Sequence, residues 1–501
     1  MTDGVVEIRQ GQIGSVPARH PSVEVFFDVP FAVPLRFRPP RNAPTWSGVR
    51  RRARPGPAAP QPVVEGVTLL SPSATMAEEL CLNATIWRPR SPANGLPVLV
   101  FVHGGANQYG SHAGAVTDGS RLAAHGLVVI SVQYRLGALG FLALDRAIDA
   151  RFTESGAVAV HDLVAGLSWV KKNVEQFGGD PGRVTLFGQS AGAALAATVA
   201  ASPLAEGLLH RVVMSSGTAE RALTSDDAHS VTESFLRAAR VSDPEDLLCL
   251  SLERILDAQT TVTAQRTPSV PTLSMPFQPV LGTRAVPIRP LDSWRSEALA
   301  PISLLAGTNL TEAAGSADTL SAHQRKTAID ALAAGALEGC GEAYSAAIAG
   351  LLGRPANEHD VLDHLLTDMR YRRPTDRLLR ARRPSRNTYG YVFVGGPRAG
   401  DPAASAHASE LPYFFDNLDV AIADGVAIPD EAQTLAEHMS RALVSFVRSG
   451  TPLAGNVKWD DIGSELPQLH VLSAPGADRD PLRDGDPWRI LRQTWSSSAA
   501  R

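Results

Sequence analysis

The chain has 501 residues, 44% hydrophobic and 20% charged, with 47 basic against 51 acidic side chains and a formal net charge of -4. This is the composition of a soluble globular protein with a large core, and its charge excludes nucleic acid as an expected partner. No run reaches the roughly 18 apolar residues of a membrane span.

Residues 5–33 read as short antiparallel strands at one edge. Arg50, Arg51, Arg52 and Arg54 then lead into a Pro/Ala loop over 54–61. Leu96–Val102, Leu127–Tyr134, Val184–Phe187, Ile302–Ala306 and Thr388–Val394 are short apolar, largely β-branched runs of the kind buried in a parallel sheet. Between them Ala157–Gln176 and Ala191–Ala201 read as helices. This alternation predicts a doubly wound α/β sheet with its sites at the carboxyl ends of the strands. Residues 225–370 are richer in helical pattern and are expected to form a subdomain within one elaborated domain spanning 1–501. A second arginine set, from Arg370 to Arg386, reads like the first as solvated faces. His359 and His364, with Asp360 and Asp363, form the densest His/Asp group. Histidines five apart do not share a helix face, so a solvated helix is expected there and no metal.

Cys81, Cys249 and Cys340 are too few and scattered for a disulfide framework. The N-terminal residues lack the basic-then-apolar order of a signal peptide, so a cytoplasmic location is expected. The sequons at Asn83 and Asn309 then read as accidental.

The chemistry gathers around Phe187-Gly188-Gln189-Ser190-Ala191-Gly192, which ends an apolar strand run and opens a helix of small residues. That is the layout of a nucleophile elbow, where a sharp strand-to-helix turn pushes the serine hydroxyl out of the backbone. With Gly and Ser each at roughly 7% of residues, the five-residue pattern alone arises by chance in about one such chain in six. Phe101-Val102-His103-Gly104-Gly105-Ala106 follows an earlier strand. The N–H groups of Gly104 and Gly105, with that of Ala191, could receive the oxygen of a tetrahedral intermediate. Serine needs a base, and His407 lies in a loop past the Thr388–Val394 strand. An acid is needed to hold the imidazole, and Glu312 follows the Ile302–Ala306 strand. Asn107, Gln108 and Tyr109, just past the glycine loop, are expected to face the substrate.

Taken in order, these segments resemble the type-B carboxylesterase/lipase family. The resemblance runs nearly end to end. It is carried by Pro30-Phe31-Ala32, LRFRPP at 35–40, ELCLNATIW at 79–87, His103-Gly104-Gly105, QYRLGALGF at 133–141 and FGGDP at 177–181. The elbow, Ser215-Ser216-Gly217, Glu312, HASELPYFF at 407–415 and FVRSGTP at 446–452 complete it. It implies an α/β-hydrolase fold: a large, mostly parallel sheet flanked by helices, N-terminal antiparallel strands and a helical subdomain over the active site. It also implies a triad of Ser190, Glu312 and His407, an oxyanion hole from Gly104, Gly105 and Ala191, and a supporting bond from Ser216 to the triad. The residue before the nucleophile, commonly glutamate in this family, is Gln189, which weakens any preference for cationic esters. The glycine common after the acid is Ala313. Cys81 has no cysteine between 41 and 80 to pair with.

The expected function is hydrolysis of small to medium carboxylic esters through an acyl-enzyme, without cofactor, by a monomer or homodimer. An acyl or carbamoyl transferase, or an amide or carbamate hydrolase, could use the same triad. A non-catalytic adhesion protein of this fold is least supported, because Ser190 and His407 are both present.

Overall fold

The computed structural model describes residues 4–63, 75–91, 93–266, 275–318, 320–337, 341–382, 387–395, 405–423, 425, 428, 432–454, 457–462 and 469–473. Cys340, Arg383 and Arg386 lie outside them.

Ten strands form the main sheet. In chain order they are β1 (Val16–Pro17), β2 (Val23–Pro30), β3 (Asn83–Pro89), β4 (Leu96–Val102), β5 (Val128–Val132), β6 (Gly179–Gln189), β7 (Arg211–Ser215), β8 (Ser303–Asn309), β9 (Thr388–Gly395) and β10 (Leu469–Ser473). Their spatial order is β10-β9-β8-β7-β6-β4-β5-β3-β2-β1. Every pairing from β10 to β5 is parallel, and every pairing from β5 to β1 is antiparallel. The expected mixture of a parallel core and an antiparallel N-terminal edge is therefore present. Val5–Ile8 and Gly11–Gly14 instead pair in a separate small sheet with Val49–Arg51.

Strand side chains alternate between the two faces, and the cores record it. Val98, Val100 and Val102 of β4 join one cluster, while Leu99 and Phe101 join the other. The same alternation divides Val212 and Met214 from Val213 on β7, and Leu304 and Ala306 from Leu305 on β8. Helices α1 (Val158–Asn173) and α2 (Ala191–Ala201) cover the first face, and α9 (Ala432–Ser449) covers the second. Helix α2 is buried along ten of its eleven residues, and its small side chains let it lie close to the sheet.

The 225–370 stretch is less uniform than its composition suggests. Helices α3 (Ser225–Ala239) and α4 (Leu252–Arg266) pack on each other and precede β8. Helices α5 (Ala322–Ala336), α6 (Gly341–Leu352) and α7 (Glu358–Thr367) follow it and share a third hydrophobic cluster. Helix α7 passes through a π turn, Asp368–Arg372, into α8 (Arg373–Ala381).

The arginines of this region correct the reading of them as solvated. Arg372, Arg373 and Arg382 are buried. Arg372 pairs with Asp368 at 2.8 Å, and Arg382 donates to the carbonyls of Leu299 (2.7 Å) and Ile302 (2.6 Å). Arg50 pairs with Asp28 at 2.7 Å. His364 is also buried, contrary to the solvated helix expected there, with Nδ1 3.1 Å from Arg372 Nη2. A guanidinium can be buried when carbonyls and carboxylates satisfy its fork, which composition alone does not reveal.

Candidate active site

The strand ends supply the site. Ser190 lies between β6 and α2 with φ 57° and ψ −123°. This is an uncommon backbone conformation for a residue with a Cβ. The turn is sharp enough that a Cβ on Gly188 would stand 2.2 Å from the Gly192 carbonyl oxygen, and one on Gly192 would stand 2.2 Å from that of Val102. Only hydrogen fits at either position. The turn is tied to the neighbouring strand by the Ser190 N–H, which donates to the Ser215 carbonyl at 2.8 Å.

Ser190, His407 and Glu312 come together. Ser190 Oγ is 2.9 Å from His407 Nε2, and His407 Nδ1 is 2.6 Å from Glu312 Oε2. The Glu312 side chain is fully buried, whereas the imidazole keeps 30% of its surface exposed. The other Glu312 oxygen accepts from the Asn309 N–H at 2.8 Å. Ala313, in place of the glycine common at this position in the family, donates its N–H to Thr367 Oγ1 at 3.0 Å.

The glycine loop abuts the elbow. A Cβ built on Gly104 would stand 2.9 Å from the Gln189 carbonyl and 3.0 Å from Ser190 Cβ. Gly105 has φ +108°, and Ala106 and Asn107 also have positive φ, so the loop coils back on itself. It is closed by the N–H groups of Gln108 and Tyr109, both donating to the Gly105 carbonyl. Beneath it, His103 is buried and stacked on Tyr134 at 4.5 Å. Its Nδ1 is 2.8 Å from the Gly104 carbonyl, and its Nε2 is 3.0 Å from the Gln133 amide. Burial pushes its pKa down to about 3, so it is a neutral strut that holds the loop.

Of the three residues expected to face substrate, Asn107 and Gln108 turn into the scaffold. Asn107 Nδ2 donates to the Phe277 carbonyl at 3.0 Å, and Gln108 Oε1 accepts from Thr263 Oγ1 at 2.6 Å. Tyr109 stays partly exposed.

Of the two adjacent serines, Ser215 rather than Ser216 has a bonded hydroxyl. Ser215 Oγ lies 2.5 Å from Glu410 Oε1 and accepts from Tyr391 at 2.8 Å. The Ser216 hydroxyl is buried and has no partner among the described residues. Ser215 keeps the strand alternation, on the face of Val213 and Tyr391, and the chain turns just past it at Ser216, which has φ +55°.

Sequence reasoning missed Glu410 and Asn309. Asn309 Nδ2 donates to Glu410 Oε2 at 2.7 Å while its backbone holds Glu312, so one residue braces both carboxyl groups. Burial, and then the nearby Glu312, push the Glu410 carboxyl above its usual range. The available signal was positional, since Asn309 ends a core strand and Glu410 stands three residues after His407.

Tyr371 was also missed. The π turn carries its ring to 4.9 Å from the His407 ring, tilted 34°. Single-turn π segments often mark functional sites, because the extra residue re-aims a side chain. Burial raises the Tyr371 pKa, with Arg221, Glu312, Arg370 and Tyr109 close enough to influence it.

The Carboxylesterase family model matches residues 2–482. The chain is 30% identical to the para-nitrobenzyl esterase of Bacillus subtilis (strain 168), over 95% of this chain and 96% of that protein. It is 32% identical to the fumonisin B1 esterase of Sphingopyxis macrogoltabida, over 91% of this chain and 84% of that protein. In structure it is similar to the Geobacillus stearothermophilus carboxylesterase EST55, with TM-score 0.81 and 28% identity, covering 98% of this chain and all of that one. These likenesses extend over both the sheet and the helical stretches, and the chain belongs to the carboxylesterase family, as a carboxylic ester hydrolase with an α/β-hydrolase fold.

Proposed function

We propose that Ser190 is the nucleophile of this ester hydrolase, His407 its base and Glu312 the acid that orients the imidazole. The observation that carries this reading is the unbroken path from Ser190 Oγ to His407 Nε2 at 2.9 Å and from His407 Nδ1 to Glu312 Oε2 at 2.6 Å. Neutral His407 accepts the serine proton as Oγ adds to the ester carbonyl. The N–H groups of Gly104, Gly105 and Ala191 receive the developing oxyanion. The imidazolium, stabilised by Glu312, then protonates the departing alcohol. A water repeats the sequence on the acyl-Ser190 ester, releasing the acid and restoring the serine. Gln189 packs under the glycine loop beside the nucleophile, and Tyr109 and Tyr371 line the approach.

The support for the oxyanion hole is proximity, because the glycine loop touches the elbow. A serine-directed organophosphate is expected to inactivate the protein with one label per chain, on the tryptic peptide containing Ser190. Stoichiometric labelling elsewhere would refute the nucleophile assignment.

We read the chain as one elaborated domain, with 225–370 as an inserted subdomain through which β8 passes, and as a monomer or homodimer in the cytoplasm. Free Cys81 and Cys249 favour a reducing compartment, and no helix among the described residues is long and apolar enough to cross a membrane.

A further inference from the structure

The loop after β7 brings a guanidinium to the site, on the same carboxyl side of the sheet as Ser190. Arg221 is half-buried, and its Nε is fully buried with no hydrogen-bond partner among the described residues. Its Nη1 points at the Met275 thioether, 2.9 Å away, which is a weak acceptor. The Tyr371 phenol and the Arg370 guanidinium are close enough to influence it. The Tyr371 ring in turn lies 4.9 Å from that of His407. A second cation, Arg370, flanks Tyr371 on the π turn. No carboxylate among the described residues forms an ion pair with Arg221; the adjacent Glu220 pairs with Arg377 instead.

Buried arginines elsewhere in this chain are treated differently. Arg135 has Asp162 at 2.6 Å, Arg372 has Asp368, and Arg382 has two carbonyls at less than 2.8 Å. Arg221 has a buried, unpartnered Nε, a thioether against Nη1 and no carboxylate among the described residues. A guanidinium nitrogen buried without an acceptor is costly, and the planar fork of the group matches a carboxylate. The carboxyl groups close to the nucleophile offer little repulsion to an incoming anion. Gln189 is neutral, Glu410 is buried with a carboxyl pushed toward its protonated form, and the Glu312 charge is directed to His407.

We infer that Arg221, steadied by Tyr371, binds a carboxylate borne by the substrate itself, so that this esterase prefers anionic esters such as half-esters of dicarboxylic acids. The inference rests on the ester-hydrolase reading above and adds the substrate class. Tyr371 then stands between the two groups, its ring tilted against the imidazole and its phenol near the guanidinium, which sets the anion one side chain away from the reacting carbonyl.

The test is a ratio of kcat/KM values within matched pairs. One pair puts the charge in the acyl half: the mono-4-nitrophenyl ester of glutaric acid against 4-nitrophenyl hexanoate. The other puts it in the alcohol half: the butyrate of 3-hydroxybenzoate against that of 3-hydroxybenzamide. In one of the two pairs the anionic member should be favoured by about tenfold to a hundredfold, the range of a hydrogen-bonded charge pair. Arg221→Gln should bring that ratio to about one, and Arg221→Lys, which keeps charge but loses the fork, should leave an intermediate ratio. A wild-type ratio at or below one in both pairs overturns the inference even if no variant folds. A preference unchanged in Arg221→Gln assigns Arg221 to holding Tyr371 alone and also overturns it. If the neutral esters are not cleaved either, the hydrolase reading fails, and this inference falls with it.

Discussion

The two sides of the site are built from different materials. Where β4, β6 and α2 meet, the backbone sets the geometry: Gly188 and Gly192 have no room for a methyl group, and Ser190 is held at φ 57°. Across from it, along the π turn and the loop after β7, side chains set the geometry: Tyr371 over His407, Asp368 and Arg372 paired beneath, and Arg221 alongside. A wall made of backbone admits no change without moving a strand. One made of side chains can alter its chemistry while the fold stays. On our reading, the first wall fixes the reaction and the second selects the substrate.

The largest effects should come from the groups that bridge the two walls. Ser190→Ala and His407→Ala should each lower 4-nitrophenyl acetate turnover by about 10⁴-fold or more. Activity within tenfold of the parent, for either, would break the assignment. Glu312→Gln keeps the shape but loses the charge that favours the imidazolium, and a loss between about 10²- and 10⁴-fold is expected. Full activity would point to another carboxyl group, and Glu410 would be examined next.

Stability should separate the walls directly. Gly192→Ala forces a methyl group into the carbonyls of Val102 and His103 and should cost about 2 kcal/mol or more by denaturant titration. Tyr371→Phe, which keeps the ring over His407, should stay within about 1 kcal/mol of the parent. Equal costs would erase the distinction between backbone-built and side-chain-built surfaces.

Acid should strain the molecule through its buried histidines. Burial holds His103 and His364 at about 3 and His112 at about 4, all below the ordinary 6.5. Below 6.5 the unfolded chain therefore binds protons that the folded protein refuses, and stability falls as pH falls. Asp368, pushed up to about 6, and Glu410, also raised, act in the opposite sense below pH 6, because each takes its proton earlier when folded. His125, His210 and His470 are lowered in the same sense, so the histidines outweigh the carboxyl groups and stability falls between pH 6.5 and 4. Equal melting temperatures at pH 7 and 5 would contradict this.

The smallest contrast is between adjacent serines. Ser215→Ala removes the bonds to Glu410 and Tyr391 and should cost about 1–2 kcal/mol. Ser216→Ala removes a hydroxyl that bonds to nothing described, and should cost less than about 0.5 kcal/mol. The reverse order would restore Ser216 as the supporting residue.

The amino-acid sequence by itself determined the parts that are local. The elbow was legible because strand, tight turn and small-residue helix are contiguous, and Gly188 answers a steric demand from Gly192, four residues on. The parallel core was legible from apolar runs that alternate with helices, and Ser190, Glu312 and His407 could be picked out as candidates because each follows such a run. Tertiary structure alone decided what depends on partners far along the chain. Whether Arg372 and Arg382 are solvated or buried turns on carbonyls and carboxylates that folding brings to them. That Ser215 meets Tyr391 and Glu410 turns on segments 176 and 195 residues further along the chain. That Arg221 and Tyr371 meet beside His407 turns on a π turn 150 residues from the loop after β7. Steric demands within a single turn are written in local sequence, whereas close approach between distant segments, desolvation and charge pairing act through space, and only the folded chain says who stands beside whom.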